Sequence, residues 1–449
     1  MSLAKNRLAH YVNIFLNRLT IIVIKMQYTK TILHSHNIAM RECLSEGNYM
    51  LNVIRRFYNY SSYLNTIIVK KSIFLCLCAS VAIFFFLGCE ATMNTKQVNK
   101  KSIVVFIHGI KGSLLVDEKD SIVWLNGSQG LGLDTPNLSL PLSWQGDKQD
   151  KDSIRPKEVL SEVKVIPFIL EEKVYSPWLS AGRKIYGDKF YPFAYDWRRD
   201  NLENVYSFEA FLETVRRDNI EANITVVAHS MGGLITLSLL NKRPELFQKV
   251  VFVGVPFYGG IGFMEDLHIG IPNGLNHKIL SPEVLFTMPS VYTLFPIETK
   301  ERVVAEDNTG NPIEVNFYSP EDWKNNKFSL FAKESVSSEK NFNFLTKALS
   351  RAKQFKEQIK AANIKYPPIL VVTGKAHPTL SKIQKNGKQS VNGWDFLSLP
   401  REPGDGRVLE KNSFPPKGIS YDTFYSTWTH SALLNDPAVV ERVKNFVDN

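Results

Sequence analysis

The sequence predicts an α/β fold built on a mostly parallel central sheet flanked by helices, with a cap inserted between two of its strands. Three observations predict this. Short apolar runs alternate with stretches of helical periodicity, as parallel strands alternate with their crossover helices. The runs show little polar–apolar alternation, so they read as strands covered on both faces. One long stretch, from Phe257 to about Leu330, departs from the pattern, being rich in Gly, Pro, Phe and polar residues.

The elements follow in order from Lys101. Ile103–Ile107 is a continuous apolar strand that ends at His108-Gly109. Residues 203–219 set Val205, Phe208, Leu212 and Val215 at helical spacing, with charges between them. Ile224–Ala228 is a second strand, and Gly233–Asn241 a helix stopped near Pro244. Lys249–Val255 is a third strand and Ile369–Thr373 a fourth. Ala348–Ala362 and Ala438–Val447 read as helices, and the aperiodic stretch of about 257–330 reads as the cap.

The 449 residues are 44% hydrophobic and 22% charged, enough apolar material for a sizeable core. The formal charge of +10 is uneven: residues 1–100 hold twelve Lys and Arg against three Asp and Glu, and the remainder holds 42 against 41. The part from Lys101 onward is therefore nearly neutral, which argues against nucleic acid as a partner. Residues 1–65 are basic and aperiodic and are expected to be an upstream extension, in part artefactual, with a true start expected at Met50, the last Met before a long apolar run.

That run, Ile73–Gly88, is uncharged and follows Lys70-Lys71 within a segment of 66–88. As a helix it would span roughly 24 Å, short of the roughly 30 Å hydrocarbon core. Positive charge, apolar run, small residue and polar sequence is the order of a secretory signal. Its end, Phe86-Leu87-Gly88-Cys89, resembles the lipobox of bacterial lipoproteins, in which the Cys is lipidated, although Phe86 stands where Leu is usual. The expectation is an exported lipoprotein held at a membrane surface through Cys89, with residues 89–100 as a tether. The alternative is an uncleaved signal anchor. All four cysteines (Cys43, Cys76, Cys78 and Cys89) lie at or before this point, so the chain beyond it has no disulfide framework and no Cys metal site.

The chemistry concentrates at Ala228-His229-Ser230-Met231-Gly232-Gly233, between a strand and a helix. A serine on so sharp a turn needs small residues two before and two after it, and Ala228 and Gly232 meet this. Such a nucleophile elbow belongs to the α/β-hydrolase fold, where the acid and then the histidine follow the serine along the chain. The serine needs a base. His430 fits best, after Tyr425–Thr429 and before the final helix; His377 is the runner-up, and His268 and His277 fall in the cap. For the acid, Asp405 between two glycines leads Asp395 and Asp422, against the plainer reading of a turn residue. Acyl chemistry also needs oxyanion donors. The Met231 N–H is one, and the N–H of Ile110 or Lys111, in the Gly-flexible turn after the first strand, is the other.

Four motifs carry a resemblance to the lecithin–cholesterol acyltransferase family, which includes phospholipid–diacylglycerol acyltransferases and bacterial lipases. They are Gly109–Leu114, the string Tyr191-Pro192-Phe193-Ala194-Tyr195-Asp196-Trp197-Arg198, the Ser230 elbow, and Gly404-Asp405-Gly406-Arg407-Val408 followed by His430–Leu434. The resemblance implies ester chemistry on a lipid, with Asp196 and Arg198 ordering loops near the site. There are departures. Arg407 stands where Thr is frequent, and the disulfide that crosses the lid in secreted members has no counterpart among these cysteines. Phe257, Tyr258, Phe263 and Met264 read equally as an apolar acyl site or as cap core.

The expected function is that of a serine acyl-ester hydrolase or O-acyltransferase acting on a lipid ester through an acyl-serine, with no metal and no cofactor. The alternatives are another hydrolase, such as a thioesterase or amidase, and a silent lipid-binding lipoprotein.

Overall fold

A computed structural model describes residues 102–449, apart from 167–169, 173, 220–222, 297–303 and 334–337. These residues belong to the second of two compact units, Asn99–Asn449. The expected upstream extension, the expected start at Met50, the apolar run Ile73–Gly88, Cys89 and the tether lie outside the described residues.

The core is one six-stranded sheet. Its strands are β1 (Ile103–Ile107), β2 (Phe190–Phe193), β3 (Ile224–His229), β4 (Lys249–Val253), β5 (Ile369–Gly374) and β6 (Asp422–Ser426). They lie in the order β2-β1-β3-β4-β5-β6, and every neighbouring pair is parallel. This is the α/β-hydrolase fold. Ile103, Val105 and Ile107 of β1 enter the core on one face of the sheet, and Val104 and Phe106 the core on the other. Burial on both sides is why this strand reads as an unbroken apolar run. The main helices are α1 (Ser176–Tyr186), α2 (Asn201–Asp218), α3 (Met231–Lys242), α4 (Gly262–Ile269), α5 (Glu339–Gln358) and α6 (Pro437–Asp448), of which α4 lies in the cap.

The structure corrects several expectations. The strand before His430 is Asp422–Ser426, which begins earlier and stops sooner than Tyr425–Thr429; β6 is a mostly exposed edge with no apolar run to mark it. The helix expected from Ala348 starts at Glu339, where the Ser338 side chain accepts the Asn341 N–H and caps it. β2, hidden in the sequence by Pro192, is the opposite edge strand, where a missing backbone N–H is tolerated. Between β1 and α1 runs an excursion that the sequence did not announce. Within it Ser113–Val116 pairs antiparallel with Ile122–Trp124 and with Arg155–Val159. The stretch expected to be aperiodic cap holds α4 and short helices at Pro282–Phe286, Pro289–Tyr292 and Pro320–Asn325, three of these four helices capped or led by Pro or Ser.

The sheet order fixes where a site can form. From β1 the chain crosses to β2 on one side and then returns to β3 on the other, so the loops leaving β1 and β3 diverge. The crevice at the carboxyl ends of such strands is the usual ligand position in open α/β sheets. Ile107 lies opposite Ala228 in register, which brings the Gly109 turn beside Ser230.

Candidate active site

Ser230 follows β3 with φ 52° and ψ −126°, a backbone that few residues other than glycine adopt. The turn is built by close approach. A Cβ at Gly232 would stand 2.4 Å from the His108 carbonyl oxygen, and one at Gly109 2.7 Å from the Ser230 Cβ. Serine is a favoured helix cap, yet here its side chain does not cap α3. Its Oγ lies 2.9 Å from His430 Nε2 instead, and His430 Nδ1 lies 2.8 Å from Asp405 Oδ2. The three expected residues, 200 and 25 positions apart in the chain, thus meet in one hydrogen-bonded line.

Asp405 is 1% exposed. Burial alone would raise its pKa. The His430 imidazole and the backbone N–H groups of Val408 (2.7 Å) and Arg407 (2.9 Å), both bonded to its carboxylate, outweigh burial and hold it below the usual value. The Gly406 N–H donates to Thr379 Oγ1, and the His430 N–H to the Asp405 carbonyl, so the acid and base loops are tied through backbone as well. The competitors lie elsewhere. Asp395 accepts N–H groups from Gln389, Leu397 and Ser398, and Asp422 is an exposed residue of β6 near Arg442. His377 bonds the Thr427 carbonyl, His268 the Val391 carbonyl, and His277 is exposed.

A cavity of about 440 Å³ opens onto this line, walled by Gly109–Gly112, Trp124, Leu125, Tyr175, Phe263 and Arg407 among others. Gly112 donates to the Gly109 carbonyl, so Ile110 and Lys111 are the central residues of a tight turn, with Lys111 at φ 64°. The Met231 N–H is the first of α3, one of the donors that a helix cannot satisfy internally. Of the four cap residues in question, Phe263 is buried and also lines the cavity, Phe257 and Met264 are buried in the core, and Tyr258 is exposed. The excursion after β1 supplies much of the wall, so the enclosure is shared rather than built by residues 257–330 alone.

Asp196 and Arg198 do not line the cavity. Arg198 is buried and gives its five N–H bonds to Asp196, Asp152 and the Leu138 carbonyl. The carboxylates more than offset burial and raise its pKa further. The string's nearer contact is Tyr195. It stacks on His108 at 4.3 Å and donates its hydroxyl to the His108 carbonyl, bracing the turn that leaves β1.

Sequence reasoning passed over His108 and His229, which directly precede Gly109 and Ser230. Both are buried, and burial pushes both down to about 3, so both are neutral. Their places beside the two motif turns were the available signal. Arg407 also pairs with Asp266 of α4 and lies over the Phe263 ring, 4.4 Å from its centroid, which joins the cap to the acid's turn. Among the described residues no cluster of His, Cys, Asp or Glu is arranged to hold a metal ion, and no helix is long and apolar enough to cross a membrane.

Residues 183–403 match the lecithin:cholesterol acyltransferase family model, a stretch that includes Ser230 and stops just short of Asp405. An uncharacterized protein of Saccharomyces cerevisiae is 20% identical over 383 residues, covering 70% of this chain and 56% of its own. Lecithin-cholesterol acyltransferase-like 4 of Arabidopsis thaliana is 29% identical over 122 residues, 24% of this chain and 23% of that protein. The chain thus spans about half the length of the first of these curated relatives and about a quarter of the second. Among solved structures, the Tle4–Tli4 complex contains a chain matched with a TM-score of 0.50 at 13% identity, over 77% of this chain and 98% of that one, a likeness of fold. The chain belongs to the lecithin:cholesterol acyltransferase-like family of α/β-hydrolases.

Proposed function

We propose that this protein is a serine-dependent acyl-ester hydrolase or acyltransferase acting on lipid esters. The observation that carries the reading is the continuous contact from Ser230 Oγ through His430 to Asp405 at a strained elbow. In the reaction, His430 Nε2 takes the hydroxyl proton as Ser230 attacks the ester carbonyl. Asp405 holds the Nδ1–H tautomer and stabilises the imidazolium. The Met231 N–H and a turn N–H from Ile110 or Lys111 receive the oxyanion. The leaving alcohol or lysolipid takes the proton back from His430, and an acyl-serine remains. Water then yields a fatty acid, and an alcohol acceptor yields a new ester. Family membership and the aromatic and aliphatic wall of the cavity support a lipid acyl chain.

The test is incubation with labelled phospholipid, with and without a sterol or alcohol acceptor. Turnover is expected, with Ser230→Ala reducing it to background; equal turnover by the variant sinks the reading. The product, free fatty acid or new ester, separates hydrolase from transferase. A preference for amides or thioesters over esters would replace the lipid-ester reading. Anchoring at a membrane surface through Cys89 belongs to the same proposal. Mass spectrometry of the mature N-terminus should find a lipidated Cys89, and an unmodified Cys89 within a continuous upstream chain would refute that part.

A further inference from the structure

His229 stands one position before Ser230, and its ring is enclosed between Tyr175 and His430. Nε2 lies 3.0 Å from the His430 carbonyl oxygen and Nδ1 lies 2.7 Å from the Tyr175 hydroxyl. A carbonyl can only accept, so Nε2 carries the hydrogen. In a neutral ring Nδ1 is then bare and accepts the Tyr175 O–H. The Tyr175 oxygen in turn accepts the Gly109 N–H at 3.2 Å. A directed line of hydrogen bonds thus runs from the Gly109 turn, through Tyr175 and His229, to the backbone of His430.

The line is well held. Tyr175 opens α1, its backbone N–H bonds the Ser161 carbonyl, and its ring meets Phe106 edge-on at 5.1 Å. It is 3% exposed and His229 4%. One end of the line touches the turn expected to supply an oxyanion donor, and the other touches the residue that must span Ser230 and Asp405. Neither end involves the reacting atoms.

We propose that Tyr175 and His229 are positioning residues that lock the His430 backbone and the Gly109 turn in one mutual geometry. This rests on the reading of Ser230 as the nucleophile. His430 makes two ring bonds of 2.8 and 2.9 Å in opposite directions, and these survive only if its main chain cannot slide. The His229 N–H is the side-chain donor that fixes that carbonyl. The rings of His229 and His430 are 4.9 Å apart, so the neutral state of His229 also spares the imidazolium a like-charged neighbour. Misplacement of reacting groups by about 1 Å costs about 100-fold in rate, which sets the expected scale.

The experiment measures the rate of Ser230 acylation by a fluorophosphonate probe, steady-state kcat and KM on a soluble acyl ester, and Tm, for the full chain and three variants. His229→Leu removes both bonds and is expected to lower kcat and labelling by about 100-fold with KM within about twofold. His229→Gln keeps an N–H for the His430 carbonyl and is expected to recover about tenfold of that loss. Tyr175→Phe, which removes one hydroxyl from an otherwise unchanged ring, is expected to lower kcat about tenfold. Wild-type labelling rates in Tyr175→Phe and His229→Leu, with only Tm reduced, would make the line structural and overturn the proposal. So would a His229→Gln variant no better than His229→Leu. If the unmodified chain is not labelled at Ser230, the nucleophile reading itself falls and takes this one with it, and that result is distinct from both others.

Discussion

At the residue scale, Ser230 and Asp405 show how environment assigns a role. Ser230 is kept from capping α3 by its own backbone angles, and its hydroxyl is left for His430. Asp405 is buried yet held ionised by His430 and two backbone N–H groups. Asp405→Asn should keep the packing but favour the wrong His430 tautomer. The expected loss in kcat is about 10⁴-fold at unchanged Tm; steady-state kinetics with calorimetry checks it, and a loss below tenfold would deny Asp405 its role. His108 and His229 set a pH dependence of a different kind. Burial lowers both to about 3, well under their unfolded value. Between about 6.5 and 3 the unfolded chain binds protons that the folded chain does not, so stability falls with falling pH across that window. The slope is at most about 1.4 kcal/mol per pH unit for each histidine. Urea midpoints at pH 7 and pH 5 should show the decline, and a stability that is flat over this range would mean that the rings accept protons in the fold. The depressed Asp405 acts lower still: its contribution is present above the unfolded carboxylate pKa and lost as pH drops through the folded one.

At the element scale, the site depends on how closely the loops after β1 and β3 approach. Gly232 stands against the carbonyls of Ile107 and His108, and backbone cannot swing aside as a side chain can. Gly232→Ala should therefore cost about 1–3 kcal/mol of stability and abolish Ser230 labelling. Chemical denaturation and probe labelling together test this, and a labelled, stable variant would contradict the packing. Strand β1, buried on both faces, was legible because its environment permits only apolar residues. Edge strands β2 and β6 were not, since an edge admits Pro192 on one side of the sheet and Asp422 on the other. The start of α5 was missed because its first turns, Glu339-Lys340-Asn341, are polar and the cap at Ser338 is a local bond rather than a periodic signal.

At the scale of the whole molecule, the cavity is enclosed by pieces from three excursions: the one after β1, the cap after β4, and the acid's turn after β5. The pair between Arg407 and Asp266 joins two of them, in a chain whose described part contains no cysteine to do so. Both partners are partly exposed, so the pair is worth about 1 kcal/mol or less. Arg407→Ala is expected to speed hydrogen exchange in α4 while leaving Tm within about 2 °C; unchanged exchange in α4 would show that packing alone holds the cap. Residue type alone marked the buried strands, the elbow and the turn that carries Asp405, because each is a local constraint: apolar runs for double burial, small residues for a strained turn, glycines around an acid. The sequence also held the four motifs that carry the resemblance to the family, two of which lie within the matched residues 183–403. Chain order and turn chemistry ranked Asp405 above Asp395 and Asp422, and His430 above His377, but contact with Ser230 is a matter of where the sheet carries each loop, and the fold brings the first of each together there. The same holds for Tyr175 and His229. Their bonds join residues 54 and 201 positions apart, a relation created by strand order and register that no local pattern records.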